Sequence, residues 1–251
     1  MLPLEAVPNF SEGRDRATID AIAEALSAHA RLLDVHSDAD HNRSVYTLVG
    51  REDELVASLL AGIACARDLS GCRACVEAGY PLESLPVRAP GGGQRAYLFG
   101  QAPGVIEGEE QLPWRGRAGQ TLRRWLELEE DEFYATFHCA SVTRCYPGRA
   151  PSGRGDRTPE PREQELCQFW RDWELELLRP GLIVTVGGLA LKRLLGRTPL
   201  TPCIGERYEL HGTPVVPLPH SSGASGWLNA PANRERLAKA LELVHSELAG
   251  L

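Results

Sequence analysis

Residues 95–119 read RAYLFGQAPGVIEGEEQLPWRGRAG and join three local signals in one stretch. The apolar run at 95–100 is typical of a buried strand, and it leads directly into a turn of Gly, Gln, Ala, Pro and Gly. Three glutamates and then Pro113 and Trp114 follow that turn. We therefore expect a strand whose end opens into an exposed turn, with a carboxylate and a tryptophan close to it.

Three further apolar runs, at 137–143, 181–187 and 213–218, predict strands that alternate with helices near 117–127, 161–178, 189–195 and 232–248. This alternation is typical of a mostly parallel sheet with helices on both faces. We expect an α/β fold, a three-layer sandwich around a four-stranded sheet. The turns after positions 100, 143 and 218 fall at strand carboxyl ends, where sites form in such sheets.

The first 69 residues form a separate and smaller α/β pattern. Runs at 4–7, 31–37 and 44–50 predict strands, and runs at 16–30 and 52–68 predict helices. The second helix repeats apolar residues with the 3.6-residue spacing of a buried stripe. We therefore divide the chain into a small α/β segment, 1–69, and a larger domain, 70–251.

Charge is distributed unevenly between these two parts. The net charge is −7, of which −6 belongs to residues 1–69. Residues 143–162 carry five arginines against two acids, so a local basic loop is available for phosphate contacts. No apolar run approaches the ~20 residues of a membrane-spanning helix, and the acidic N-terminus lacks the apolar core of a signal peptide. We expect a cytoplasmic protein with no membrane partner.

Four of the seven cysteines have a spacing that suits a metal site. They are a C-x2-C pair and two cysteines that flank the basic loop: Cys72, Cys75, Cys145 and Cys167. Thiolates suit an iron–sulfur cluster or tetrahedral zinc, and the spacing does not separate the two. The alternative is a redox C-x2-C pair with two buried thiols. We expect the other three cysteines to be buried thiols: Cys65, Cys139 and Cys203.

Two stretches of the first segment, VPNFSEGRD (7–15) and LLDVHSDADHNRSVYTLVG (32–50), resemble the start of formiminotransferase, the folate-dependent enzyme of histidine breakdown. The resemblance covers residues 3–68. In that family the chain continues into a segment with the catalytic histidine, whereas here it continues into SGCRACVEAG (70–79). We therefore expect neither formimino transfer nor folate binding, and we interpret the segment as a cap or an oligomerisation surface. The oligomeric state stays open.

The larger domain resembles the uracil-DNA glycosylase superfamily, most of all its cluster-bearing families four and five. The segments that carry the resemblance are GQAPGVIEGEEQLPWRGRAGQTLRRWL (100–126), VTRCYPG (142–148), PREQELCQFW (161–170), LLRPGLIVTVGGLALKRLLG (177–196) and PLPHSSGASGWLN (217–229). In those families four cysteines so placed hold a structural [4Fe–4S] cluster. The resemblance therefore implies that cluster, rather than zinc, at the four cysteines named above.

A glycosylase takes its target base out of the duplex and holds it in a tight pocket. The strand-end turn offers backbone N–H groups and close approach; its residues are Gly100, Gln101, Ala102, Pro103 and Gly104. Trp114 is the candidate stacking face, where relatives usually carry phenylalanine, and stacking contributes about 1–3 kcal/mol per base. The alternative for Trp114 is ordinary core packing.

Two residues are the candidates for catalysis. By the resemblance, Glu107 positions water or stabilises the cationic sugar, and His220 stabilises negative charge on the departing base. No lysine stands in the segments 100–126 and 217–229, which carry these two residues, and this favours a monofunctional enzyme that uses water and leaves an abasic site. Candidate DNA contacts lie in the basic loop and after His220: Arg149, Arg154, Arg157, Ser221, Ser222, Ser225, Trp227 and Leu228.

Three positions depart from the pattern of the resembling families. Gln101 stands for a frequent glutamate, Ser141 stands where family four has an asparagine that reads the uracil edge, and His-Pro-Ser has become His220-Ser221-Ser222. Loss of the bidentate asparagine predicts a relaxed specificity, with hypoxanthine or xanthine accepted beside uracil. Two alternatives remain: a catalytically silent iron–sulfur module that binds nucleic acid, and a folate-linked transferase.

Overall fold

The computed structural model describes residues 3–10, 12–14, 16–41, 43–70, 72–87, 89–90, 93–153, 155–222 and 226–251, without the side chains of 67–70. The chain divides into two compact units, Met1–Cys72 and Arg73–Leu251. No helix of the described residues is both long enough and apolar enough to cross a membrane.

The first unit is a small antiparallel sheet with two helices. Its elements are β1 (Leu4–Ala6), β2 (Asn9–Phe10), α1 (Arg16–Leu26), β3 (Arg31–Asp38), β4 (Arg43–Gly50) and α2 (Glu52–Ser70). The strands β1, β2 and β3 all pair antiparallel with β4. Apolar residues of both helices bury against β4 in one core, where the Tyr46 hydroxyl donates a hydrogen bond to the Ile19 carbonyl (3.0 Å). The predicted strands and helices are present, and β2 was not predicted.

The second unit is built on a five-stranded sheet. Its strands are β5 (Ala96–Gly100), β6 (Phe137–Ser141), β7 (Leu182–Val186), β8 (Tyr208–Leu210) and β9 (Thr213–Leu218), in the order β6-β5-β7-β9-β8. The first four in that order are parallel, and β8 is an antiparallel edge strand. The predicted α/β fold with a mostly parallel sheet is confirmed. The sheet has one strand more than predicted, because the three-residue strand β8 was too short to be recognised in the sequence. A two-residue turn, His211-Gly212, joins β8 to β9, and both of its residues have positive φ.

Eight helices are described in this unit, together with two short 3-10 helices at Thr201–Cys203 and Gly226–Asn229. The helices are α3 (Ala74–Glu77), α4 (Val105–Glu110), α5 (Arg117–Leu126), α6 (Glu130–Thr136), α7 (Pro161–Leu166), α8 (Gln168–Leu178), α9 (Gly188–Leu195) and α10 (Pro231–Ala249). The single helix predicted over 161–178 is divided at Cys167 into α7 and α8.

Apolar side chains cover both faces of the sheet. On one face, residues of α5, α6 and α10 pack against Leu98, Val184 and Val216. On the other face, residues of α8 and α9 pack against Tyr97 and Ile183. Both faces are buried, so the strands are continuous apolar runs. The parallel strands therefore present their carboxyl ends together at one edge, which is where the candidate site lies.

Candidate active site

A cavity of about 490 Å³ opens at the carboxyl ends of β5 and β6. The chain leaves β5 for β6 on one side and returns to β7 on the other, so β5 lies at a topological switch point, where α/β sheets form their sites. The cavity is in the size range of small-molecule sites. Its lining contains the whole turn 100–104, Glu107, Trp114, Ser141, His220 and Ser222. The structure thus brings together all the predicted substrate-binding and catalytic residues.

The half-buried indole of Trp114 forms one wall beside the strand end. A Cβ on Gly100 would lie 2.8 Å from Trp114 Cζ2, so the ring sits close to the backbone at that position. Trp114 has a φ of 60°, an uncommon conformation for a bulky residue. Its carbonyl accepts a hydrogen bond from Arg123 Nη1 (2.9 Å), which holds this conformation. The ring also packs on the apolar core, so Trp114 is both a cavity wall and a core residue.

Glu107 joins two walls of the cavity. Its Oε2 accepts the Gly104 backbone N–H (3.1 Å) and its Oε1 accepts the Gly116 backbone N–H (2.7 Å). The side chain is buried. Glu107 lies in the first turn of α4, where a carboxylate caps the exposed N–H groups. Both oxygens of the predicted catalytic carboxylate are therefore committed to the backbone of the two loops.

Asp156 is a second carboxylate of the cavity, and it was not among the residues predicted from the sequence. Its Oδ1 accepts a hydrogen bond from the Tyr146 hydroxyl (3.2 Å). Its Oδ2 lies 3.3 Å from the place that a Cβ on Gly104 would take. The exposed acid enters the cavity from the basic loop. The signal that could have found it is an acid flanked by arginines in a loop expected to contact phosphates.

His220 follows β9 and presents a neutral ring to the cavity. Its Nδ1 accepts the Ser222 backbone N–H (3.2 Å), so the neutral imidazole carries its proton on Nε2. Burial lowers the pKa of His220 because it disfavours the charged form. Gly187, with a φ of 90°, lets the ring approach; a Cβ there would lie 3.3 Å from His220 Cδ2. The ring is therefore a hydrogen-bond donor at neutral pH.

Ser141 ends β6 on the floor of the cavity. Its hydroxyl donates a hydrogen bond to the Thr143 carbonyl (2.7 Å), which leaves the oxygen lone pairs as acceptors. Gln101 lies beside it in the lining, and its backbone carbonyl accepts the Thr143 N–H (3.3 Å). The polar edge of a bound molecule would therefore meet a serine acceptor and the amide of Gln101.

Comparison of the sequence with known proteins identifies the family of the second unit. The model of the uracil DNA glycosylase superfamily matches residues 90–244, more than half of the chain. The chain belongs to the uracil DNA glycosylase superfamily. The type-4 uracil-DNA glycosylase of Thermotoga maritima is 29% identical over 131 residues, which are 51% of this chain and 65% of that protein.

The first segment matches a different family. The model of the N-terminal subdomain of the formiminotransferase domain matches residues 3–70. Glutamate formimidoyltransferase of Thermoplasma acidophilum is 43% identical over 68 residues, 26% of this chain and 22% of that protein. Formimidoyltransferase-cyclodeaminase of Dictyostelium discoideum is 53% identical over 55 residues, 21% of this chain and 10% of that protein. The chain thus spans at most about a fifth of the formimidoyltransferases it matches. Both resemblances drawn from the sequence are confirmed.

Arg149 and Arg157, two of the predicted DNA contacts, have different surroundings. Arg157 forms a two-fold ion pair with buried Glu163 (2.5 and 2.9 Å), and its Nε donates to the Pro147 carbonyl (2.9 Å). Burial alone would raise the pKa of Glu163, but Arg157 lowers it overall. Arg149 is exposed. Arg157 thus fixes the loop to α7, and Arg149 is open to solvent. Arg154 lies outside the described residues.

The other predicted contacts follow His220. Ser221 is buried, and its Oγ has no hydrogen-bond partner within the described part of the chain. Ser222 is exposed at the cavity, and Ser225 lies outside the described residues. Trp227 is half-buried, with its Nε1 donating to Thr201 Oγ1 (2.9 Å), and Leu228 also packs on the core.

Three of the four candidate metal ligands lie on neighbouring segments. Cys75 is on α3, which packs against α7, and Cys167 ends α7. The Arg144 N–H donates to Cys167 Sγ (3.3 Å), which brings the segment of Cys145 beside it. These three cysteines are buried, and Cys72 is the last residue of the first unit. The soft, buried donors fit a thiolate-bound cluster, although no three His, Cys, Asp or Glu side chains of the described residues form a metal-binding group.

A buried charge network supports the base of the same loop. Glu174 of α8 forms an ion pair with Arg144 and accepts a hydrogen bond from the Tyr97 hydroxyl (2.7 Å). His138 Nε2 lies 3.4 Å from Glu174 Oε1. Burial would raise the pKa of Glu174, but Arg144 and His138 lower it to about 2. This network could not be predicted from the sequence because its members are far apart along the chain.

Proposed function

We propose that the protein is a monofunctional DNA glycosylase. It flips uracil or a related deaminated base out of DNA, hydrolyses the N-glycosidic bond and leaves an abasic site. The observation that carries this proposal is the shared cavity, in which a neutral histidine donor, a tryptophan face and a serine acceptor surround a space at the strand ends. Membership of the superfamily supports the same reaction class.

The proposed chemistry breaks the C1′–N bond ahead of water attack. The bonding electrons leave with the base, and His220 Nε2–H donates a hydrogen bond to the oxygen on which negative charge develops. Positive charge builds on C1′ and is stabilised by nearby carboxylate charge. Water then adds its oxygen to C1′, and its proton is carried to the base through solvent. Glu107 contributes negative charge and holds the loops that form the walls.

Base recognition in this proposal is permissive. Trp114 stacks on the base, and Ser141 accepts the ring N–H that uracil, hypoxanthine and xanthine all present. Because the Ser141 proton is committed to Thr143, the side chain offers no second, donated bond to the base. A single acceptor does not distinguish these deaminated bases, so we propose that all three are substrates.

The DNA contacts and the cluster complete the proposal. Arg149, which is exposed, contacts phosphates together with Arg154, Ser222 and Ser225. Arg157 and Ser221 support these loops, and Trp227 or Leu228 fills the gap left by the flipped base. Cys72, Cys75, Cys145 and Cys167 hold a [4Fe–4S] cluster. Bound there, the cluster would have a structural role and would take no part in bond breaking.

The experiment uses anaerobically purified protein and end-labelled oligonucleotides that carry uracil, hypoxanthine or xanthine in single and double strands. Strand cleavage that appears only after alkali identifies an abasic product and a monofunctional enzyme. His220→Ala should abolish it. Glu107→Gln should reduce it strongly, whereas the control Glu109→Gln, an exposed acid on the same helix, should not. Salt-dependent DNA binding without base release on any substrate would instead establish the silent binding module, which the uncharged Gln101 favours.

For residues 1–69 we propose no transferase activity. They match only the start of a formiminotransferase domain. Titration calorimetry with a folate analogue should detect no binding, and a measurable heat of binding would refute this.

A further inference from the structure

Two carboxylates line the described part of the cavity, and they are held differently. Each oxygen of Glu107 accepts a backbone N–H, from Gly104 and from Gly116. Asp156 uses only Oδ1, which accepts the Tyr146 hydroxyl; within the described residues its Oδ2 has no protein partner. A carboxylate oxygen without a protein partner is free to bind and deprotonate water, whereas each oxygen of Glu107 already accepts one backbone N–H, which makes it a weaker base.

Asp156 is held in place although its loop is exposed. Arg149 and Asp156 form an antiparallel bridge across the loop, and the Arg157 N–H donates to the Gly148 carbonyl (2.8 Å). Arg157 is fixed in turn by its ion pair with Glu163. The position of the carboxylate therefore does not depend on bound DNA, and it satisfies the need for a prearranged base.

Asp156 also enters the cavity on the side where the proposed complex has the sugar. It comes from the basic loop, which faces phosphates in the proposed complex, while Ser141 and Trp114 are at the strand ends that hold the base. Oδ2 is beside Gly104, whose missing Cβ leaves space between Asp156 and Glu107. The turn 100–104 supplies no carboxylate of its own, because the uncharged Gln101 stands where the resembling families often have a glutamate.

We propose that Asp156 is a catalytic residue of this chain. Its Oδ2 orients the attacking water and accepts the proton that the water loses as its oxygen bonds to C1′, while the C1′–N electron pair leaves with the base. The proton passes from Asp156 to solvent, and the base takes up a proton, so the sum is hydrolysis. This inference rests on the glycosylase function proposed above.

The test measures single-turnover base release and, separately, binding to DNA with an abasic-site analogue. Asp156→Asn should lower the release rate by about 100-fold, the usual contribution of a positioned base, and leave binding within about twofold. Tyr146→Phe should lower the rate about tenfold, because Oδ1 loses the hydroxyl that orients it. The control Asp131→Asn removes an exposed acid of α6 outside the cavity and should match wild type.

A rescue separates chemistry from structure. Adding Gln101→Glu to Asp156→Asn returns a carboxylate to the cavity and should recover at least about tenfold of the lost rate. If wild type releases base and Asp156→Asn is within about threefold of it, Asp156 is not catalytic and the glycosylase function stands. A parallel loss of DNA binding would also overturn the catalytic role. If wild type releases no base from any substrate, both proposals fall.

Discussion

Replacing Glu174 with glutamine should destabilise the second unit by about 3 kcal/mol at pH 7. Arg144 and His138 hold the pKa of Glu174 at about 2, against an ordinary value of 4.5. At ~1.4 kcal/mol per pKa unit, this shift corresponds to about 3 kcal/mol of stabilisation of the charged form. In Glu174→Gln the side-chain amide oxygen can still accept the hydrogen bond of the Tyr97 hydroxyl, so the lost stability reports the removed negative charge.

The pH dependence of this effect has a definite sign. Because the folded-state pKa lies below the unfolded one, the stabilisation is fully present above about pH 4.5 and is lost as the pH falls towards 2. The difference between wild type and Glu174→Gln should therefore shrink over that window.

Urea unfolding followed by tryptophan fluorescence measures this difference, because all five tryptophans of the chain lie within 73–251 and so report the second unit alone. Glu176→Gln, an exposed acid on the same helix, is the matched control and should change stability by less than about 0.5 kcal/mol. A Glu174→Gln protein as stable as this control at pH 7 would refute the reasoning, and so would a difference that does not change between pH 6 and pH 3.

Three further predictions concern the cavity. Gly100→Ala places a methyl group 2.8 Å from Trp114 Cζ2 and should lower kcat/KM about tenfold by displacing the stacking face; an unchanged kcat/KM would remove Trp114 from the base site. Ser141→Asn adds a donor beside the acceptor and should raise the ratio of uracil to hypoxanthine release by about tenfold in the oligonucleotide assay, and an unaltered ratio would contradict the role of Ser141. Burial lowers the pKa of His220 below its usual 6.5, so its ring stays neutral and the single-turnover rate should be flat from pH 7 to 9; a steep fall across that range would indicate a charged histidine.

The strands of the second unit could be predicted from the sequence because their apolar runs are continuous. The run at 182–186 is buried on both sides, and all of its residues except Thr185 carry the same apolar signal. The three-residue edge strand β8 carries no such signal, because none of its residues is fully buried and Glu209 is exposed. The turn at 100–104 could be placed for the same reason as the strands, since it follows directly from the end of β5.

The hydrogen-bond commitments of the site could not be predicted from the sequence. A glutamate at position 107 has the same local pattern whether its oxygens face a substrate or accept two backbone N–H groups. The same holds for Ser141, whose proton goes to Thr143. Asp156 and the Arg144–Glu174 pair depend on contacts between segments that are distant in sequence, and neither periodicity nor spacing records such contacts.

The loop between β6 and α7 connects the support of the fold to the proposed chemistry. Arg144 lies near the start of this loop. Its side chain pairs with Glu174 of α8, and its backbone N–H donates a hydrogen bond to Cys167 Sγ. The last residues of the loop hold Arg157, which pairs with Glu163 of α7. Asp156 stands between these two anchors along the chain and lines the cavity. The cysteines, the buried ion pairs and the acid at the cavity therefore act on one element, so a structural cluster at this loop would affect base release through the position of Asp156 without taking part in the reaction.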